Sequence, residues 1–331
     1  MHPTTSAARR HLLACSALAV LSLSAATAAQ AQNAYPSKPV KVVVGYSAGG
    51  AVDIIARTVG QSLSSSLGQT FIVENKPGAG TNIAVKSVID AAPDGYTLML
   101  AANALAANMA LYKPPPFDAE RDLVPIAQVG RVPVVIAANP SVPYNNVQEL
   151  IAAAKAKPDS IAFASPGNGA TPHMAVELFA KAAGIELQHI PYRGGAPAIT
   201  DTIGGQVQLV AVNALEALPH VKNGKLKVLA ALSAGRTSIF PNTPTIAESG
   251  YPGFEASVWY GFVAPKNTPA PVVDKLYAEV QKALATPEVK QRMAAVGGEV
   301  TPGSRDQFAQ LIRAERQRYQ KLIDDTGIKP D

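Results

Sequence analysis

The sequence predicts an α/β protein made of two similar lobes, each a mainly parallel sheet flanked by helices. Apolar strands, glycine-rich turns and amphipathic helices alternate from position 40, and the same alternation starts again after Pro143. The chain has 331 residues, of which 47% are hydrophobic and 16% are charged. This length and composition allow two buried cores.

The first lobe is predicted to begin with a β-α-β-α-β unit. Residues 40–44 are β-branched and apolar, which is typical of a buried strand. Apolar residues then recur at helical spacing from Val52 to Leu63, and Gly68 ends that helix. Further strands are predicted at 70–73 and 96–101, with a helix from Asn82 between them.

The second lobe repeats this alternation. Helices are predicted at 145–156, at 174–183 and from Pro197, and strands at 161–164, 187–192 and 207–212. Gly49 and Gly167 lie in corresponding turns, and each is followed by a basic residue at the end of the next strand, Lys76 or Arg193. Two related α/β units are the simplest explanation of this correspondence.

The remaining segments connect and complete the lobes. An extended segment at 130–140 is predicted to cross from the first lobe to the second. A strand at 257–264 and helices at 271–285, 287–296 and 306–326 are expected to return to the first lobe, because connections do not thread one another. The predicted boundaries are therefore 32–133 with 236–331 for lobe 1, and 134–235 for lobe 2.

Residues 1–31 are typical of a cleavable export signal. Arg9 and Arg10 precede an uncharged apolar run at 12–23, and small residues lead to Ala29-Gln30-Ala31. Cleavage would start the mature chain at Gln32 and place it in the periplasm. The paired arginines leave general secretion and twin-arginine export open.

Composition excludes several classes of function. Removing Arg9 and Arg10 lowers the net charge from +5 to +3, too small an excess to indicate nucleic-acid binding. The single cysteine, Cys15, lies in the leader, so no disulfide or thiolate nucleophile is expected afterwards. The remaining histidines lack metal-ligand spacing, so we expect neither a metal nor another cofactor.

Two glycine-rich turns are the candidate binding elements. Open parallel sheets bind ligands beyond the carboxyl ends of their strands, so Gly49-Gly50 and Gly167-Asn168-Gly169 are expected to face one cleft. Each precedes a helix whose first N–H groups are unpaired and carry the positive end of the helix dipole. These turns would therefore hold carboxylates without a charged side chain.

An alternative is a secreted serine esterase. Residues 45–49 fit the pattern G-x-S-x-G between a strand and a helix, with Ser47 as the candidate nucleophile and Asp201 and His220 following in chain order. That elbow normally follows several strands, whereas here it comes after the first. A dinucleotide site, with Glu74 as the ribose-binding acid, fits less well because the glycine spacing differs.

Several motifs together resemble the tripartite tricarboxylate transporter receptor family, also called Bug proteins. They occur in order along the whole predicted mature chain: YPSKPV at 35–40, AGG at 48–50, VENKPGAG at 73–80, PDGYTL at 93–98, PYRG at 191–194, WYG at 259–261 and TGIK at 326–329. The ordered series is far more specific than any single motif.

The resemblance implies a two-lobe Venus-flytrap receptor of the periplasm that binds a di- or tricarboxylate or an aromatic carboxylate. It further implies a monomer without catalytic activity, which delivers the acid to membrane permease subunits or to a sensor. The contacts that it implies come from both lobes: Tyr46, Ala48, Gly49, Asn82, Ala102 and Asn103 from the first, and Ser165, Asn168, Gly169, Thr171, Tyr192 and Gly194 from the second.

Departures from the family pattern modify this expectation. Val212 precedes Asn213 where family members often have Asp, so the cleft is expected to lack a carboxylate that pairs with an ammonium group. Arg193 replaces a frequent Lys and is expected to add planar geometry suited to a carboxylate. We therefore add Arg193 and Asn213 to the candidate contacts and expect amino acids to be poor ligands.

Overall fold

The computed structural model describes residues 35–295 and 298–329. The predicted leader at 1–31 lies outside the described residues. The fold begins with a parallel β-α-β-α-β unit close to the predicted one. Its elements are β1 (Val40–Val44), α1 (Ala51–Leu67), β2 (Phe71–Asn75), a 3-10 turn (Ala79–Thr81) leading into α2 (Asn82–Ile89), and β3 (Thr97–Ala102).

A second parallel unit follows a long strand. The connecting elements are α3 (Ala104–Leu111), the short α4 (Ala119–Asp122) and β4 (Leu123–Ala138). The second unit contains α5 (Val147–Ala156), β5 (Ala162–Ser165), α6 (Thr171–Ala183), β6 (Gln188–Pro191), α7 (Gly195–Ile203), β7 (Leu209–Asn213), α8 (Ala214–Lys222) and β8 (Lys227–Ala231).

The C-terminal part adds one strand to the middle of the sheet and helices to its first half. Its elements are β9 (Ser257–Pro265), α9 (Ala270–Ala285), α10 (Pro287–Ala295), β10 (Glu299–Val300) and α11 (Arg305–Thr326). Helix α9 packs against α1, and α11 packs against α3. These contacts put α9 on the first β-α-β-α-β unit and α11 on the helix that follows it.

Strand β4 joins the two halves of the sheet. Within the described ranges the strand order is β2-β1-β3-β9-β4-β7-β5-β6, and β8 and β10 also pair with β4. Residues 123–133 of β4 pair antiparallel with β9, whereas residues 134–138 pair antiparallel with β7 and β8. The partner changes between Pro133 and Val134, where we placed the lobe junction. The lobe boundaries themselves stay a prediction.

Each half has its own buried cluster. One joins β1 and β3 to α2, α3 and α11, with Phe308 and Trp259 in edge-to-face contact. The other joins β4, β5 and β7 to α7 and α8. The turns at the ends of the parallel strands therefore pack on two separate buried clusters, and these turns form the candidate site.

Candidate functional site

A pocket lies beyond the carboxyl ends of the parallel strands and receives residues from both halves of the fold. We call it the cleft pocket. Its lining residues are Tyr46, Gly50, Ala51, Val52, Ala102, Pro166, Ala170, Thr171, Pro172, Gly195, Asn213, Glu216, Val258 and Tyr260. Parallel strands end at one edge of a sheet, which explains why turns distant in sequence meet here.

The cleft pocket is lined by the N-termini of α1, α6, α7 and α8. The residues that precede α1, α6 and α7 are Gly50, Ala170 and Gly194, and none of them caps its helix with a side chain. Each helix contributes partial positive charge at its first turn. The resulting potential favours an anion although no lysine or arginine is among the described lining residues.

Glu216 is the acidic residue among the described lining residues. Its Oε1 accepts a hydrogen bond of 2.7 Å from the Ala51 N–H, and its Oε2 accepts bonds of 3.3 and 3.2 Å from the Asn213 main chain and side chain. Burial raises the pKa of the Glu216 carboxyl, while these N–H donors act in the opposite direction. A carboxylate of the chain itself therefore lies at the entrance of α1.

Other polar groups of the cleft pocket lack a hydrogen bond. Thr171 Oγ1 and Tyr260 Oη are buried and have no partner in the described part of the chain. Burial raises the pKa of Tyr260, and the neighbouring Asn213 side chain acts in the opposite direction. Buried groups without partners are unfavourable unless a ligand or water satisfies them.

The pocket is narrow in this structure. Its cavity volume is only about 20 Å³. This is room for about one water molecule. An organic acid therefore fits only if the walls that come from the two halves move apart.

Four of the predicted contacts line the cleft pocket: Tyr46, Ala102, Thr171 and Asn213. Ala48 and Gly49 lie next to it in an exposed part of the same turn. The Gly49 N–H donates to Asp53, whose carboxylate also pairs with Arg57. Asp53 thereby holds the first glycine turn in place.

Other predicted contacts join the two halves near the pocket. The Asn108 amide donates to Gly80 and to Asn82. A Cβ on Gly80 would lie 2.7 Å from the Asn168 carbonyl oxygen, and a Cβ on Gly169 would lie 2.1 Å from Asn108 Oδ1. The turns that contain Asn82, Asn168 and Gly169 therefore meet each other closely, outside the cleft pocket.

The turn after β6 also contacts the first half. The Arg193 carbonyl accepts a hydrogen bond from the Ser47 N–H, and a Cβ on Gly194 would lie 2.3 Å from Ser47 Oγ. The Arg193 side chain is exposed and does not line the pocket. The Tyr192 hydroxyl donates to Asp201 at 2.7 Å, and burial raises the pKa of Tyr192 to about 12.

Two predicted contacts are buried next to the site but do not line the pocket. Asn103 is buried and donates to Glu315 and to Tyr319 of α11, while its Oδ1 accepts from the Trp259 N–H. Ser165 Oγ lies 2.7 Å from His189 Nε2 and accepts from the Gly167 N–H. Both side chains are thus engaged within the protein.

The cleft has no carboxylate at position 212, as expected, but Glu216 supplies one that the sequence analysis did not consider. Val212 is buried in the apolar cluster of the second half, as expected for a strand residue, but Glu216 brings a carboxylate into the pocket one helical turn later. The sequence contained a usable signal for this residue. Asn213 followed three positions later by Glu216 is the spacing at which a glutamate side chain reaches back to the start of its helix.

The geometry around Ser47 does not support the esterase alternative. Its Oγ is buried and forms no hydrogen bond within the residues that the structure describes, so no histidine activates it. The same described ranges contain no cluster of His, Cys, Asp and Glu suited to a metal ion. They also contain no helix with the length and apolar character needed to cross a membrane.

Solved structures with this arrangement share its fold. The periplasmic binding protein BugD is 37% identical, covers 90% of this chain over its own full length and superposes with a TM-score of 0.85. The protein Rpa4515 of R. palustris, solved with adipate, is 31% identical with the same coverage and a TM-score of 0.86. The fold is that of a periplasmic binding protein.

Sequence comparison specifies the family. Residues 55–328 match the profile of the tripartite tricarboxylate transporter family receptor. The protein BugT of Bordetella pertussis is 37% identical over 318 residues, which cover 94% of this chain and 98% of BugT. The chain belongs to the tripartite tricarboxylate transporter receptor family, which confirms the resemblance that the sequence motifs indicated.

Proposed function

We propose that the cleft pocket binds an organic carboxylate, either a di- or tricarboxylate or an aromatic carboxylate. The observation that carries this proposal is the convergence of helix N-termini, whose own N-cap residues provide no side-chain cap, on buried hydroxyls that lack partners. An anion would be bound by main-chain N–H groups, and the hydroxyls of Thr171 and Tyr260 would donate to it. The adipate bound to the related protein Rpa4515 supports the ligand class.

The proposed contacts form an inner and an outer group. Tyr46, Ala102, Thr171 and Asn213 line the pocket and would touch the ligand directly. The remaining candidates, Ala48, Gly49, Asn82, Asn103, Ser165, Asn168, Gly169, Tyr192, Arg193 and Gly194, would shape the surrounding turns or contact a ligand that extends beyond the pocket. The narrowness of the closed pocket supports this division.

Binding would couple to closure of two lobes, 32–133 with 236–331 and 134–235. The exchange of β4 partners between Pro133 and Val134 supports a hinge at this junction. Carboxylate contacts from both sides would favour the closed arrangement, because a ligand shifts a conformational equilibrium by its differential affinity for the two states.

The protein would act in the periplasm as a monomeric receptor without catalytic activity or cofactor. The leader at 1–31 would direct export, and the loaded receptor would deliver its acid to permease subunits of a tripartite tricarboxylate transporter or to a sensor. Family membership supports this role.

A thermal-shift screen of organic acids on the mature protein tests the proposal. An acid at 100 times its Kd is expected to stabilise the fold by about 2.7 kcal/mol without being consumed. The screen should include adipate, malate, citrate, benzoate and glutamate, with a parallel assay of ester hydrolysis. Absence of stabilisation by every acid, or ester hydrolysis that Ser47→Ala abolishes, would contradict the proposed function.

A further inference from the structure

Glu216 links the two halves of the fold through its carboxylate. It belongs to the first turn of α8 in the second half, and its Oε1 accepts from the N–H of Ala51, the first residue of α1 in the first half. A Cβ on Gly195 would lie 2.5 Å from Oε2, and a Cβ on Gly50 would lie 3.0 Å from Oε1. Two glycines, which have no side chain to obstruct it, thus lie against this carboxylate.

The position of the carboxylate is one that an external anion would also occupy. Gly50 provides no side-chain cap for α1, so the Ala51 N–H is satisfied by Glu216 in the way that a ligand carboxylate would satisfy it. Thr171 and Tyr260 present buried hydroxyls without partners to the same pocket. These unsatisfied groups are an independent indication that a ligand binds beside Glu216.

We propose that Glu216 occupies the place of a ligand carboxylate at the N-terminus of α1, and that an incoming acid displaces it. This inference rests on the proposed function and names the residue that limits affinity at the same site. The bond between Glu216 and Ala51 would have to break before an acid could take over that N–H.

Charge makes the two carboxylates competitors. The described lining residues of the pocket include no lysine or arginine. Two tyrosine hydroxyls, those of Tyr46 and Tyr260, lie close to Glu216. Burial raises the pKa values of both hydroxyls and keeps them neutral. A second carboxylate beside an ionised Glu216 is repelled in this poorly hydrated place. Displacement of Glu216, or its protonation, removes the repulsion.

The variant Glu216→Gln tests this inference. Gln keeps an oxygen for the Ala51 N–H but cannot ionise, and neutral hydrogen bonds are about half as strong as charge-assisted ones. We expect isothermal titration calorimetry with adipate at neutral pH to show roughly tenfold tighter binding by the variant than by the unmodified protein.

Glu149→Gln is the matched control. Glu149 occupies the equivalent third position of α5 and accepts from the Asn145 N–H and the Asn146 side chain, but it is exposed and lies outside the cleft pocket. Its replacement removes a comparable helix-capping charge and should leave adipate affinity unchanged. Tighter binding by both variants would attribute the gain to net charge and overturn the inference.

The direction of the change separates competition from structural damage. Damage would weaken binding and lower the unfolding temperature, whereas release of a competitor tightens binding. Equal adipate affinity in the unmodified protein and Glu216→Gln, including no binding by either, would overturn the inference. Tighter binding of glutamate by the unmodified protein than by Glu216→Gln would also overturn it, because Glu216 would then pair with the ammonium group of the ligand. Stabilisation of the unmodified protein by any acid of the panel would still support the proposed function.

Discussion

Tyr260 is fully buried, and its hydroxyl has no hydrogen-bond partner in the described chain. Such a group destabilises the fold and is expected where a ligand completes the hydrogen bonding. We predict that Tyr260→Phe is as stable as the unmodified protein or more stable by up to about 1 kcal/mol, yet binds its acid about tenfold more weakly.

Tyr144→Phe provides the control for this prediction. Tyr144 is also buried with an unpartnered hydroxyl, and burial raises its pKa to about 12, but it lies outside the cleft pocket. Denaturant titrations should show similar stability changes for both variants, while calorimetry should show weaker binding in Tyr260→Phe alone. Equal affinities in all three proteins would exclude a ligand contact for the Tyr260 hydroxyl.

Gly169 combines a left-handed backbone with a close neighbour. Its φ is +71°, and an added Cβ would lie 2.1 Å from Asn108 Oδ1. Asn108 is fully buried and its amide binds Gly80 and Asn82, so it has little freedom to move away. We predict that Gly169→Ala lowers the free energy of unfolding by about 2 to 3 kcal/mol and also weakens ligand binding.

Gly184→Ala separates backbone strain from the clash. Gly184 has a φ of +62°, but an added Cβ there would meet nothing within 4 Å. This variant should lose only about 1 kcal/mol, the usual difference for a left-handed position, and should bind normally. Chemical denaturation that gives equal losses for the two variants would show that Asn108 yields to the new methyl group.

At the scale of elements, β6 and α6 are joined by a pair of histidine rings. The rings of His173 and His189 stack with centroids 3.8 Å apart, and Phe163 of β5 contacts His189. Burial lowers the pKa of His189 to about 3 from its ordinary value of 6.5. The folded protein therefore holds this imidazole neutral.

This shift predicts a loss of stability in acid. Below pH 6.5 the unfolded chain binds a proton that the folded chain does not accept until about pH 3. Stability due to His189 is complete above pH 6.5 and falls by about 1.4 kcal/mol per pH unit below it. Denaturant titrations of His189→Gln should show a pH slope that is shallower by this amount. The same dependence of stability on pH in the variant and the unmodified protein would contradict the lowered pKa of His189.

Helices and strands whose apolar residues recur at a regular spacing were predictable from the sequence, and those without such a spacing were not. Strand Val40–Val44 and helix Ala51–Leu67 occur as expected, because β-branched runs and regularly spaced apolar residues indicate which face is buried. Helix Ala104–Leu111 was missed because all of its residues are buried, so it has no polar face. Helix Ala214–Lys222 was missed as well, since Pro219 inside it is a residue that usually interrupts helices.

At the scale of the whole molecule, the narrow pocket predicts a change of shape on binding. The observed arrangement leaves room for about one water, so an acid has to enter while the halves are apart. We expect small-angle scattering to show a smaller radius of gyration when the acid found in the screen is added. In Tyr260→Phe the same compaction should require a higher acid concentration. An unchanged radius at saturation would argue against closure.

The sequence by itself determined the α/β class, the strand-turn-helix units and the family, since these depend on local periodicity and on motifs that occur in order. It also located the glycine turns, because only particular residues adopt such backbone angles. The tertiary structure decided which side chains enter the pocket. Thr171 and Asn213 do, whereas the Arg193 side chain lies at the surface, and Glu216 reaches Ala51 from 165 positions away. Contacts over such separations depend on how the halves close on each other, and no local pattern encodes that geometry.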